Sequence, residues 1–295
     1  MIHPESAVGV LRRVDMQIDH AGHDQHTAVI LYRQTAVSLG DIAENTAANA
    51  VFANSIAVLI CQYGVLIRAV TDIALYDEAV HNEILADEDE IDRMTDNVSK
   101  YLVRFLPHLQ NEYHVSIMDQ YFKVTSEFER LGDHAVNIAS HAAALHRSNT
   151  TLSKDALSEL AVLESAIIQL LDESDHTFRR RDVVTARQIE PLVQVTKDLI
   201  VVLKQNHLKR IRTGECSVLS NATFSDLLIE FQRIGDVCSN VGIATIVRVH
   251  PELADHEHLY FDQLHEGGDE VFDTAYQRTH KRYFALLPGA NVSAE

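Results

Sequence analysis

One stretch of the chain occurs twice. Phe128-Glu-Arg-Leu-Gly-Asp-His-Ala-Val-Asn137 and Phe231-Gln-Arg-Ile-Gly-Asp-Val-Cys-Ser-Asn240 align at a constant offset of 103 positions; Phe, Arg, Gly, Asp and Asn are identical and Leu131 is matched by Ile234. A period of that length is a whole supersecondary unit, so the chain reads as two similar units in tandem. Each copy falls on the third of three helical stretches, which makes each unit a three-helix bundle.

The spacing of apolar residues supplies those helices. Ile117, Tyr121, Val124, Phe128 and Leu131 recur at three- and four-residue steps, as do Leu192, Val195, Leu199, Val202 and Leu203. Helices are expected over 41–75, 78–105 (stopped near Pro107), 111–146, 153–180, 183–212 and 224–250 (ended by Pro251), with a short one over 269–287. Pro191 should kink the fifth or mark its true start. Only 11 Gly and 5 Pro among 295 residues leave little to break such helices. The expected fold is all-α. The division is an extension of unknown role over 1–40, a first bundle over 41–147, a second over 154–250 and a tail over 251–295.

Residues 45–67 carry no charge. Asn49, Asn54, Ser55 and Gln62 would be costly in lipid, so this stretch reads as a buried bundle helix rather than a membrane span. Met1 to Asp15 has no apolar core of a signal peptide. The net charge of −18 disfavours nucleic acid as a partner and favours cations. Three cysteines, Cys61, Cys216 and Cys238, have no metal-site spacing and suit a reducing compartment.

Glu129, Asp133 and Asn137 stand four apart. Each step turns 400°, a drift of only 40°, so the three share a helix face. Glu88 and Asp92, four apart on the preceding helix, could complete an oxygen-donor site for Mg, Mn, Fe or Zn. The same pattern also fits a solvated acidic face or an array of ion pairs within one helix. Gly132 and Gly235 suggest close helix approach at the repeat.

The run from Glu129 to Ala139 resembles the Glu-Arg-x-Gly-Asp-His-x-x-Asn-Ile-Ala signature of PhoU-like domains. More narrowly, the chain resembles the cytosolic C-terminal domain of bacterial sodium-dependent phosphate cotransporters. The residues concerned are Tyr76 to Glu78, Asp89 to Arg93, Lys100 to Arg104, Leu208 to Cys216, Ser225 to Leu228 with Arg233 and Asp236 to Asn240, and His256 to Leu259 with Lys281 to Tyr283. The resemblance implies two pseudo-symmetric three-helix bundles and control of phosphate uptake without catalysis. It also implies a divalent or iron-type metal cluster, contact with a membrane phosphate transporter or its signalling partner, and a cytoplasmic place at the inner face of the cell membrane. It leaves open a stand-alone relative or a piece of a longer protein.

Where the family's second signature has Glu and His, this chain has Gln232 and Val237; Val193, Gln194 and Lys197 stand where its fifth helix is acidic. The first bundle keeps Glu88, Asp92, Glu129, Asp133 and Asn137, and the second keeps Asp236 and Asn240, with Glu190 beside them. Any metal is therefore expected at the first bundle. Inorganic phosphate, repelled by carboxylates, would need that metal as a bridge.

Two other readings compete. A carboxylate-bridged iron enzyme or store would need Glu-x-x-His pairs, and Glu78 with His81 is a lone candidate. A structural module would use its apolar helix faces for self-association, and long amphipathic helices make a homodimer plausible. His134 and His141 could reach a metal but read more simply as core or surface residues, and His207 reads as structural. His256, His258 and His265 fit no closed zinc site.

Overall fold

The computed structural model describes Val65, Ala69, Ile73 and residues 76–109, 111–214, 217–256 and 269–289. Six helices hold most of these residues: α1 Glu78–Phe105, α2 Glu112–Arg147, α3 Lys154–Arg180, α4 Val183–Arg212, α5 Val218–Val249 and α6 Glu270–Phe284. Short 3-10 turns follow α1 (Leu106–His108) and α5 (Pro251–His256). The all-α expectation holds, and no strand occurs among the described residues. The stretches 1–40 and 45–67, the first expected helix, and His258 and His265 lie outside those residues or nearly so. Of the helices described, none is long and apolar enough to cross a membrane.

Local chemistry fixes the helix ends. The Asp77 carboxylate accepts from the Ala79 amide at 2.8 Å to start α1. Asp182 accepts from the Val184 and Thr185 amides at the start of α4, and Asp269 from Val271 and Phe272 at the start of α6. Ser153 and Ser217 cap α3 and α5 in the same way. The Ser217 cap starts α5 at Val218, six residues before the expected Phe224. Pro191 lies inside α4 and does not mark its start, which the Asp182 cap sets.

The two repeat-bearing helices, α2 and α5, lie against each other at the centre. Helix α1 packs on α2, α3 on both α4 and α5, and α4 on α5. Phe128 and Phe231, the repeat's first residues, are both fully buried. Phe128 meets the edge of Phe178 at 5.4 Å between centroids, joining α2 to α3. The Arg248 guanidinium donates to the Phe178 carbonyl at 2.7 Å and lies over that ring. A buried ion pair, Arg210–Glu159 at 2.8 Å, ties α4 to α3.

Helix α6 crosses α4 as an added strap. Tyr276 donates to Asp198 at 2.7 Å and Tyr283 to Gln169 at 2.6 Å. Neither repeat glycine is needed for space: a Cβ at Gly132 would sit 3.5 Å from Glu88 Cγ, and one at Gly235 would sit 4.0 Å from Leu170, both ordinary contacts. The tight approach is at Gly242, where a Cβ would meet Ile189 Cδ1 at 3.1 Å.

Candidate functional site: a carboxylate face and a reciprocal clasp

Packing of α1 on α2 puts Glu88 and Asp92 beside Glu129 and Asp133. Glu88 is half-buried and the other three are exposed. Burial raises the carboxyl pKa of Glu88 above its ordinary value, and the charges of Asp92, Asp133, Asp89 and Glu129 push it the same way. Asp92 and Glu129 are raised likewise, by burial first and then by neighbouring carboxylates. Among the described residues no basic side chain pairs with any of the four. The nearby cations are spent on other acids, Arg93 on Glu90, Lys100 on Asp96 and Arg130 on Glu127.

The result is a face of hard oxygen donors with uncompensated negative charge, chemically suited to a divalent cation. It is an open face. Among the described residues no three His, Cys, Asp or Glu side chains converge as a ligand shell.

Asn137 does something else. Two four-residue steps from Glu129 accumulate about 80° of drift, which turns it toward α5. Its Nδ2 donates to Glu230 Oε2 at 3.3 Å. Asn240, its repeat mate, donates to Glu127 Oε1 at 3.0 Å. Glu127 and Glu230 are themselves 103 apart. The asparagine of each copy thus holds the glutamate of the other, a reciprocal clasp across the α2–α5 seam. Arg130 and Arg233, also repeat mates, pair with Glu127 at 2.9 Å and with Glu230 at 3.4 Å.

The two halves of the clasp differ at one position. His134 Nδ1 lies 2.7 Å from Glu230 Oε2, with both side chains 8% exposed. Val237 occupies the matching position in the second copy and offers no hydrogen bond. Burial acts to raise the Glu230 carboxyl, yet hydrogen bonds from His134 and Asn137 and the nearby His134 and Arg233 charges hold it below the ordinary value. Burial raises Glu127, and Arg130 and Asn240 only partly offset it.

Among the described residues the second bundle has no equivalent acidic face. Asp236 is paired with Lys197 Nζ at 3.0 Å. Glu190 is buried and accepts from the Ser239 hydroxyl. Asp198 takes Tyr276 from the α6 strap. His207 is buried and bonded to Asn221 at 2.7 Å, a structural role. His134 is buried in the seam. Glu127 and Glu230 were the residues that spacing along one helix did not single out. Their signal was available, since each immediately precedes the repeated Phe.

Comparison with known proteins agrees with this architecture. The PhoU domain model matches residues 66–142, within the first bundle. The crystal structure of PhoU from Pseudomonas aeruginosa is similar with a TM-score of 0.59 at 17% identity, over 77% of this chain and 100% of that one. The phosphate transport system regulatory protein PhoU from Streptococcus pneumoniae gives 0.57 at 14% identity, over 66% of this chain and 91% of that one. No curated protein matches. The chain thus has a PhoU-like helical fold, and its first bundle carries the stretch that matches the PhoU domain.

Proposed function

We propose that the chain is a PhoU-like regulator of phosphate transport. It acts by contact with a membrane phosphate transporter or that transporter's signalling partner, at the inner face of the cell membrane. The narrower form, the cytosolic part or companion of a sodium/phosphate cotransporter, is supported by the matching stretches from Tyr76 to Tyr283. The observation that carries the reading is the uncompensated carboxylate face of α1 and α2, set in a PhoU-like fold.

In this reading Glu88, Asp92, Glu129 and Asp133 would hold one or more divalent or iron-type cations, with modest side-chain rotation. A cation would relieve the repulsion that adds to burial in raising three of these carboxyls and would give inorganic phosphate a positive partner. Lys197 supplies a fixed ammonium beside Asp236, so the second bundle needs no metal there. Asn137 and Asn240 hold the seam.

The experiment has two arms. Phosphate uptake is compared in cells lacking the gene and in cells complemented with the wild-type chain or Asp133→Ala. Bound metal is counted in purified Asp133→Ala and Asp236→Ala. The expected result is altered uptake control with Asp133→Ala, together with metal loss from Asp133→Ala and not from Asp236→Ala. Equal metal losses overturn the asymmetry, and unchanged uptake on gene loss overturns the regulatory role. Phosphate binding that survives excess chelator overturns the cation bridge.

A further inference from the structure

The last fourteen residues of α4, Leu199 to Arg212, contain no acid, in a chain of net charge −18. Their inward side is spent on the core: Leu199, Leu203 and His207 are buried, and Arg210 is paired with Glu159. Their outward side carries Val201 at 52% and Leu208 at 55% exposure, together with exposed Lys204, Lys209 and Arg212. At 100° per residue, Val201, Lys204, Leu208 and Arg212 fall within an arc of about 80°. Lys209 flanks that arc on one side and the partly exposed Ile211 on the other. Among the described residues no carboxylate pairs with these three cations. Lys209 donates to the Asn206 side-chain carbonyl at 3.2 Å, and Asp198, the acid one turn before Val201, is taken by Tyr276.

The matching helix of the first bundle lacks this combination. Asp77 and Asp182 cap α1 and α4 alike and stand 105 apart. Buried Ile84, Val98 and Leu102 meet buried Ile189, Leu203 and His207 at the same interval. On this register the exposed Val103 stands opposite Leu208, and Arg104 opposite Lys209. Asp96, Ser99 and Pro107 stand where α4 has Val201, Lys204 and Arg212. The α1 face thus holds an acid, paired with Lys100, where the α4 face has an exposed valine and two further cations. Two helices with the same inward pattern differ on their outward side in charge and in apolar content, so the core does not dictate the α4 face.

We infer that this face of α4 docks on an anionic lipid surface. Lys204, Lys209 and Arg212 meet the headgroup phosphates, and Val201 and Leu208 enter the boundary beneath them. Apolar side chains set among cations on one helical face suit a layer that is charged outside and hydrocarbon within. The chain's overall negative charge does not prevent this, because charges more than about 10 Å apart are largely screened at ~0.1 M salt. The inference rests on the placement at the inner face of the membrane proposed above and deepens it, since lipid itself supplies part of the attachment. Its test reads lipid binding alone, so it can fail while control of phosphate uptake stands.

Co-sedimentation of the full chain with vesicles tests this, using phosphatidylcholine alone or with about one-third phosphatidylserine. The wild type is expected to partition onto the phosphatidylserine vesicles at least about tenfold better. Each cation near such a surface is worth about fivefold in partition. The triple variant Lys204→Gln, Lys209→Gln, Arg212→Gln should therefore lose about a hundredfold. Leu208→Ser should lose at least about threefold, and Val103→Ser, at the matching place on α1, less than about twofold. All five positions are exposed, so each variant should keep the helical circular dichroism of the wild type. Absence of wild-type binding to phosphatidylserine vesicles overturns the proposal, as does equal binding to both vesicles. So does wild-type binding by the triple variant, or equal loss from Val103→Ser and Leu208→Ser. Binding to cell membranes that protease treatment abolishes, with none to the vesicles, assigns the face to an acidic protein and overturns the lipid reading.

Discussion

His134→Ala tests whether the two bundles are held together at the clasp. The substitution removes the 2.7 Å contact to Glu230 and leaves that carboxylate with Asn137 at 3.3 Å and Arg233 at 3.4 Å. Breaking a buried ion pair costs ~3–5 kcal/mol when nothing replaces it, and losing a hydrogen bond to a charged group costs ~1.5–3 kcal/mol. Two partners remain, so the lower range applies, and a loss of about 2–3 kcal/mol is expected. For a domain of this size that lowers Tm by roughly 5–10 °C.

The pH dependence carries a sign. Glu230 has its carboxyl held below the ordinary value, so it contributes stability above the normal glutamate range and loses it as pH falls through the depressed value. In His134→Ala the acid-induced loss should shrink, because the group no longer has its strongest partner. The assay is urea unfolding at several pH values for the wild type, His134→Ala, Glu230→Gln and the double variant. The cycle should return a coupling of about 2 kcal/mol near neutral pH. A coupling below about 0.5 kcal/mol would refute the clasp as a stabilising contact.

Other expectations come from the same geometry. Asn240→Ala removes a contact on the more exposed side of the clasp and should cost less than His134→Ala, about 0.5–1.5 kcal/mol by unfolding. Tyr276 is pushed up to about 12 by burial and by the Asp198 carboxylate. Its folded value is raised, so the docking of α6 should be intact below pH 10 and weaken as pH rises through about 12; ultraviolet titration of Tyr276→Phe against wild type reads this. Burial also raises the Cys238 thiol to about 12. It should resist thiol reagents near pH 8 until the chain is unfolded, and site-resolved mass spectrometry of the labelled cysteines would show early modification if that is wrong.

The helices were legible because their signals are local. Apolar spacing and Pro107 bracketed α1, and the polar stretch after Arg147 marked the connection to α3. The start of α5 was not legible in the same way, because Ser217 caps a first turn containing Ser220 and Asn221, which reads as loop. The site divides by the same logic. A four-residue spacing gave the shared face of Glu129 and Asp133, since a single step drifts little. It could not show that Asn137, two steps on, turns to another helix. Lys197 was legible as a missing acid, but its contact with Asp236 needed the packing of α4 on α5.

The Asn–Glu exchange has the form of a two-fold contact, in which residue i meets j and j meets i. Two identical single bundles could associate through that one patch. Joined in a single polypeptide, the partner arrives in cis, its local supply set by the tether rather than by the amount of protein in the cell. Identity of the two faces then ceases to be a requirement. One side can keep an imidazole while the other trades it for a valine, and a symmetric lock becomes two addresses with separate chemistry.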